Sequence, residues 1–342
     1  MIFNTGNERK GSWAMSTFRI AAVQDAPVFM DREATVAKIC GLIAEAARGG
    51  ARLVVFPEAF IPTYPDWVWR VPPGEHQMLA DLYGELLDQS VRIPGPATER
   101  LCRAAKEAGA YVVVGLNERN AEASDATLYN TLLYIDAEGN VLGKHRKLVP
   151  TAPERMVWAQ GDGSTLGVYD TPLGKLGGLI CWENYMPLAR YAMYAWGVQL
   201  YLAPTWDRGE PWLSTLRHIA KEGRVYVVGC SIALRKEDVP DRFEVKAKHY
   251  AEAGEWINKG GSAIVGPDGG FIAGPLNEEQ GILYAEVDPR QLRGPKWNLD
   301  VAGHYARPDV FRLTVSRDGH PMIAVGQTPE HEPRGETEVL GG

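Results

Sequence analysis

Apolar positions along the chain follow two rhythms. Short β-branched or aliphatic runs occur at residues 18–24 (FRIAAVQ), 52–56 (RLVVF) and 111–116 (YVVVGL), and each reads as a strand. Between the first two lies a stretch with helical spacing. Over 32–47, Ala34, Val36, Ile39, Leu42, Ile43 and Ala46 fall near one face, and the Arg48-Gly49-Gly50 that follows is a stop signal. A second helix is expected over 97–108. Strands at 130–135 and 141–145 flank the turn Asp136-Ala-Glu-Gly-Asn140. The alternation then resumes. A strand at 175–180 precedes a helix at 186–196, a strand at 199–203, a helix at 212–221 and a strand at 225–230. Strands at 262–265 and 282–287 close the series, with a turn at Pro267-Asp-Gly-Gly270 between them.

Strands alternating with helices and mixed with hairpins predict a layered α/β domain. No repeat of fixed period is present, which excludes a solenoid. Residues 1–17 are polar up to Met15 and read as a lead outside the fold, so that either Met1 or Met15 could be the natural start. Residues 326–342 carry few large apolar side chains and read as a disordered tail. No linker divides what lies between, so one domain over 18–325 is expected.

Composition narrows the function. With 342 residues, 45% apolar and 23% charged, the chain can bury a sizeable core. A net charge of -7 without a basic cluster argues against nucleic acid as a partner. No apolar run approaches the roughly 18 residues that span a bilayer. The N-terminal residues lack the apolar centre of a secretory signal, so a cytoplasmic protein without a membrane partner is expected. The four cysteines (Cys40, Cys102, Cys181, Cys230) are too scattered for a disulfide framework. The seven histidines show no metal-ligand spacing, so neither metal nor cofactor is expected.

Three reactive side chains stand directly after strand-like runs: Glu58 after LVVFP, Lys147 after VLGKHR and Cys181 after LGGLI. Ligands meet open α/β sheets at the carboxyl ends of strands. A carboxylate, an amine and a thiol converging there would supply a base, a cationic stabiliser and a nucleophile. Each also has a plainer reading. A cysteine after an apolar strand is often a small core residue, and a strand-end Glu or a Lys in KHRK is often solvated. Cys40, Cys102 and Cys230 keep the core reading. Cys181 differs in its surroundings: two glycines precede it, a Glu-Asn pair follows, and a helix starting near Pro187 would point its positive end at the thiol.

These motifs resemble those of the nitrilase superfamily of carbon–nitrogen hydrolases. That family uses a Glu-Lys-Cys triad in the order found here: Glu58 in VVFPEAF, Lys147 in GKHRKLVPT and Cys181 in GLICWENYMPL. The run CWENYMP is similar to the motif of the nitrilase branch, whereas amidase and carbamoylase branches usually differ after the cysteine. Further likeness lies in ERMVWAQGDGSTL, APTWD, HIAKEGR and GHYARPDVF, so that it runs from about Phe18 to Phe311. The resemblance implies a four-layer αββα sandwich and places a second glutamate of the site at Glu154. It implies a dimer that extends into a larger spiral oligomer, with the helix at 186–196 as the expected contact. By the same likeness Cys181 attacks a nitrile carbon, Glu58 serves as general base, and Lys147 with the Trp182 N–H stabilises tetrahedral intermediates. Tyr64, Trp182, Tyr185 and Trp206 are candidates for an aromatic pocket, although such residues also fill cores. The expected activity is hydrolysis of an organic nitrile to acid and ammonia. A cyanide-degrading enzyme and an amidase or carbamoylase are the alternatives, and a non-catalytic scaffold is disfavoured because all three reactive residues remain.

Overall fold

A computed structural model describes residues 16–319. The expected lead over 1–17 lies outside these except for its last two residues, and the expected tail over 326–342 lies wholly outside. The first part of the chain runs β1 (Phe18–Gln24), α1 (Arg32–Arg48), β2 (Ala51–Val55), α2 (His76–Gln89), α3 (Pro96–Ala108), β3 (Tyr111–Arg119), β4 (Leu128–Ile135) and β5 (Val141–Arg146). The second part runs β6 (Val168–Thr171), β7 (Gly174–Gly178), α4 (Pro187–Ala195), β8 (Leu200–Thr205), α5 (Glu210–Gly223) and β9 (Tyr226–Ser231). It continues through β10 (Ala233–Arg235), α6 (Glu244–His249), β11 (Trp256–Val265) and β12 (Phe271–Asn277) to β13 (Gly281–Val287).

One sheet has the order β13-β1-β2-β3-β4-β5 and the other β10-β11-β9-β8-β7-β6, with β12 pairing β11. The pairs β1–β2, β2–β3, β7–β8 and β8–β9 are parallel. Their strands are covered on both faces along most of their length, which is why residues 53–55, 111–114 and 200–203 form unbroken apolar runs and not alternating ones. Between the sheets pack Ile20, Leu53, Val55 and Leu132 against Ile180, Leu200, Leu202 and Val228. On the outer face of the first sheet, Val54 and Val112 join Val36, Ile39 and Ile43 of α1 and Leu101 of α3. Outside the second, Tyr201 and Val227 join Met193 of α4 and Leu216 and Ile219 of α5. The order of layers is therefore α, β, β, α.

Local signals set the element ends. Asp31 accepts the Ala34 N–H at the start of α1, and Gly50 at φ +85° ends the turn after it. One expectation needs correction: the turn at 267–270 joins β11 to β12, not to the last strand. β12 is exposed along most of its length and carries Gly274-Pro275, so its sequence lacks the apolar run of a core strand. The last strand, β13, crosses to the other sheet and pairs antiparallel with β1.

Candidate active site

Parallel β2, β7 and β8 end on the same side of the sandwich, and the chain leaving them builds the site. After β2, Phe56 donates to the Val113 carbonyl at 2.8 Å and Ile61 to that of Gly115 at 3.3 Å, so residues 57–60 arch over β3. Gly115 makes this crossing possible. A Cβ there would stand 2.1 Å from the Pro57 carbonyl oxygen and 2.7 Å from the Ala59 nitrogen. Glu58 sits at the top of the arch with its side chain fully buried. Its Oε1 accepts from Asn130 Nδ2 at 2.7 Å and from Lys147 Nζ at 2.8 Å, and its Oε2 accepts the Trp206 N–H at 2.8 Å.

Lys147 follows β5 and is held by backbone bonds, donating to the Asn130 carbonyl at 2.8 Å and accepting from Gly161 at 2.8 Å. Its buried ammonium bridges Glu58 and Glu154 Oε2, each at 2.8 Å. Glu154 lies on the short helical turn Ala152–Met156, where Thr151 N–H donates to the same Oε2 at 2.7 Å. Its Oε1 accepts the Tyr64 hydroxyl at 2.6 Å, and Tyr64 stacks on Trp206 with ring centroids 4.4 Å apart.

Cys181 opens the helical turn Cys181–Tyr185 just past β7, at φ +50°. That is the left-handed region, unfavourable for a residue with a Cβ, and Glu183 and Asn184 hold the turn in place. Asn184 Nδ2 donates to the Leu179 and Cys181 carbonyls at 3.0 and 2.7 Å. The buried Glu183 carboxylate accepts from Ile180 N–H at 2.7 Å, from Leu148 N–H at 2.7 Å and from His145 Nε2 at 3.0 Å. It thereby ties the residue before the thiol to the residue after Lys147. Ala59 and Ala152 also have positive φ, at 48° and 47°, so strained backbone recurs beside Glu58 and Glu154.

The charges are strongly coupled. Burial raises the pKa of Glu58, and the Glu154 charge adds to this against the lowering by Lys147. Burial alone would lower the pKa of Lys147, but the Glu58 charge, that of Cys181 whenever it ionises, and the Glu154 charge raise it, so the ammonium stays charged. Burial and the Glu58 charge raise the Cys181 thiol well above its ordinary value, opposed by Lys147 and by a hydrogen bond from Thr205. A thiolate therefore forms here only with help from a base.

The structure brings Glu58, Lys147, Glu154 and Cys181 into one buried cluster, with Tyr64 and Trp206 against it. Trp182 and Tyr185 stand at its exposed rim, 49% and 41% exposed, where the Trp182 indole donates to Asp207 Oδ2 at 2.7 Å. The helix proposed near Pro187 is α4, yet the helical turn that begins at Cys181 comes before it. Cys40 and Cys102 are half-buried on α1 and α3, and Cys230 is buried. Sequence reading missed Asn130, Glu183 and Thr205. Only Glu183, two residues past the nucleophile in the Glu-Asn pair, carried a local signal. Among the described residues, no group of three His, Cys, Asp or Glu is placed to hold a metal ion.

The model of the family described as carbon-nitrogen hydrolase matches residues 19–295. An aliphatic nitrilase of Sinorhizobium fredii is 44% identical over 318 residues, spanning 91% of this chain and 99% of that protein. Nitrilase 2 of Arabidopsis thaliana is 43% identical, spanning 90% of each chain. A bifunctional nitrilase/nitrile hydratase of Nicotiana tabacum is 42% identical, spanning 87% of this chain and 86% of its own. The chain belongs to the carbon–nitrogen hydrolase family and, within it, to the nitrilase branch. Its fold is shared with an amidase from Nesterenkonia sp., at TM-score 0.61 and 24% identity over 83% of this chain and 94% of the other.

Proposed function

We propose that this protein is a nitrilase, converting an organic nitrile and two waters to a carboxylic acid and ammonia through covalent intermediates on Cys181. The observation that carries the reading is the buried Glu58–Lys147–Glu154 array placed against a cysteine on a strained strand-end turn. Glu58 takes the thiol proton, the thiolate attacks the nitrile carbon, and Glu58 passes that proton to the nitrile nitrogen, which gives a thioimidate and restores the carboxylate. Water, deprotonated by Glu58, adds to that carbon. Through Glu58 the nitrogen takes up both protons of that water, and ammonia leaves as the carbon–nitrogen bond breaks. A second water, again deprotonated by Glu58, attacks the resulting thioester, and the acid forms as sulfur departs with the electron pair and regains its proton. Lys147 and the Trp182 N–H stabilise the tetrahedral species. The first N–H groups of a helical turn have no partner inside it, and Trp182 occupies such a position. Glu154 holds Lys147 beside Glu58. Tyr64, Trp206, Trp182 and Tyr185 provide aromatic surface for the organic group of the nitrile.

The reading takes 18–325 as one hydrolase domain acting in the cytoplasm. Among the described residues, no helix is long and apolar enough to cross a membrane. Self-association through α4 belongs to the same reading, first into dimers and then into larger spirals. Leu188 on α4 is 69% exposed and shares a groove with Tyr305, Val310 and Phe311.

A panel of nitriles, their matching amides and cyanide, scored for acid, amide and ammonia, tests the activity. Nitriles giving mainly acid support it; turnover confined to amides or to cyanide would replace it with one of the narrower alternatives. Cys181→Ala is expected to fold with no detectable turnover, while Cys40→Ala, Cys102→Ala and Cys230→Ala stay active. A substrate adduct found by mass spectrometry on any cysteine but Cys181 would overturn the assignment.

A further inference from the structure

The end of β8 does more than flank the site. Three consecutive residues there each bind a different part of it. Thr205 Oγ1 lies 3.1 Å from Cys181 Sγ, the Trp206 N–H donates to Glu58 Oε2 at 2.8 Å, and Asp207 Oδ2 accepts the Trp182 indole at 2.7 Å. The tripeptide is itself anchored, since Asn258 Nδ2 donates to the Trp206 carbonyl at 2.8 Å. Thr205 is fully buried, so water does not compete for its hydroxyl.

A threonine hydroxyl has one proton and two acceptor positions. One acceptor position is used: the Asp207 N–H donates to Thr205 Oγ1 at 2.8 Å. That bond orients the hydroxyl and leaves its proton to point at the sulfur. We infer that Thr205 is a further catalytic side chain, whose hydroxyl donates a hydrogen bond to the Cys181 sulfur and stabilises it as a thiolate. This rests on the assignment of Cys181 as nucleophile.

The step balances simply. The Cys181 S–H bond breaks, its proton goes to the Glu58 carboxylate, and the electron pair stays on sulfur. Thr205 keeps its own proton and shares it with the new anion. Hydrogen bonds to ionised partners are stronger than neutral ones, so this bond strengthens as the thiolate forms and weakens as sulfur bonds to carbon. It strengthens again when the thioester breaks and sulfur departs with the electron pair. The same hydroxyl therefore assists the nucleophile at the start of the cycle and the leaving group at its end. In a pocket where burial opposes the thiolate, this donor works alongside the Lys147 charge.

Alkylation of Cys181 by iodoacetamide in the full-length protein, followed by peptide mass spectrometry across pH, tests the role. The groups that act on the sulfur are Glu58 beyond β2, Lys147 beyond β5, Glu154, Tyr64 and Tyr185, none of which is removed by substituting Thr205. Thr205→Val is expected to move the alkylation profile to higher pH. It is also expected to lower kcat by roughly 10- to 100-fold, the range that a hydrogen bond to a charged group supports, with little change in KM. Thr205→Ser, which keeps the hydroxyl, is expected to restore most of both. Should the valine variant not fold, Thr205→Ala carries the same test, because it fits wherever threonine does. A folded Val or Ala variant with the wild-type alkylation profile overturns the role of Thr205, as does a folded Ser variant as impaired as they are. A wild-type protein left unlabelled at Cys181 overturns the underlying assignment of the nucleophile, a distinct result.

Discussion

Glu58 shows how much a single side chain's surroundings decide. A carboxylate has room for about four hydrogen bonds, and three of those on Glu58 come from Asn130, Lys147 and the Trp206 N–H. The direction left free is the one a base needs. Burial raises its pKa first of all, Glu154 raises it further, and Lys147 and Asn130 lower it without cancelling the rise. A base must be ionised to act, so activity falls as pH falls through that raised value. The acid limb of kcat/KM is therefore expected above the ordinary glutamate value of about 4.3. A pH–rate profile checks this, and a plateau that persists to about pH 4.3 would contradict it.

Among elements, the helical turn Cys181–Tyr185 depends on one carboxylate more than on its own backbone. Glu183 satisfies the N–H groups of Ile180 and Leu148 and contacts His145, joining the end of β7 to the end of β5 across the inter-sheet layer. Burial alone would raise its pKa, but His145 and the two N–H groups outweigh it and hold the pKa below the usual value. A depressed carboxylate contributes stability above its unfolded pKa and loses it as pH falls through the folded one. Glu183→Gln puts an amide NH2 where an acceptor was, leaving one buried N–H without a partner. The expected cost is about 1–3 kcal/mol near neutral pH, measured by urea unfolding, and the gap from wild type should narrow in acid. Equal stabilities at pH 7 would show that the carboxylate holds nothing.

For the whole molecule the open question is what covers α4. Its inner side is packed through Ala189, Ala192 and Met193, while Leu188 is 69% exposed beside Phe311, itself 78% exposed. Covering such side chains contributes about 1.5–3 kcal/mol each when burial is complete. A copy of the chain docked there would brace the turn that carries Cys181, because α4 follows it after Met186 alone. Light scattering over a dilution series is expected to show a dimer or larger particle, with activity lost on dissociation and assembly weakened in Leu188→Glu. A stable, active species of 37.6 kDa would defeat this.

How much could be read beforehand depended on the range of the interaction involved. Period and composition alone placed β1 and the start of α1, because burial on one face or both leaves a local trace. The strand-end positions of Glu58, Lys147 and Cys181 were legible for a related reason, while their order as a triad came from the resemblance to the nitrilase superfamily. The helix α2, with only Leu82 and Leu86 fully buried, left too faint a stripe, and β12 has its exposed course and its proline against it. Asn130, Thr205 and the reach of Glu183 to Leu148 were illegible in another way. Their partners lie 72, 24 and 35 residues away, and nothing in a neutral asparagine or threonine announces the charge it will meet. The sequence by itself determined which side chains could react. Only the packing of two sheets, which excludes water and sets hydrogen bonds at fixed distances, decided which of them share a pocket and in what state of charge.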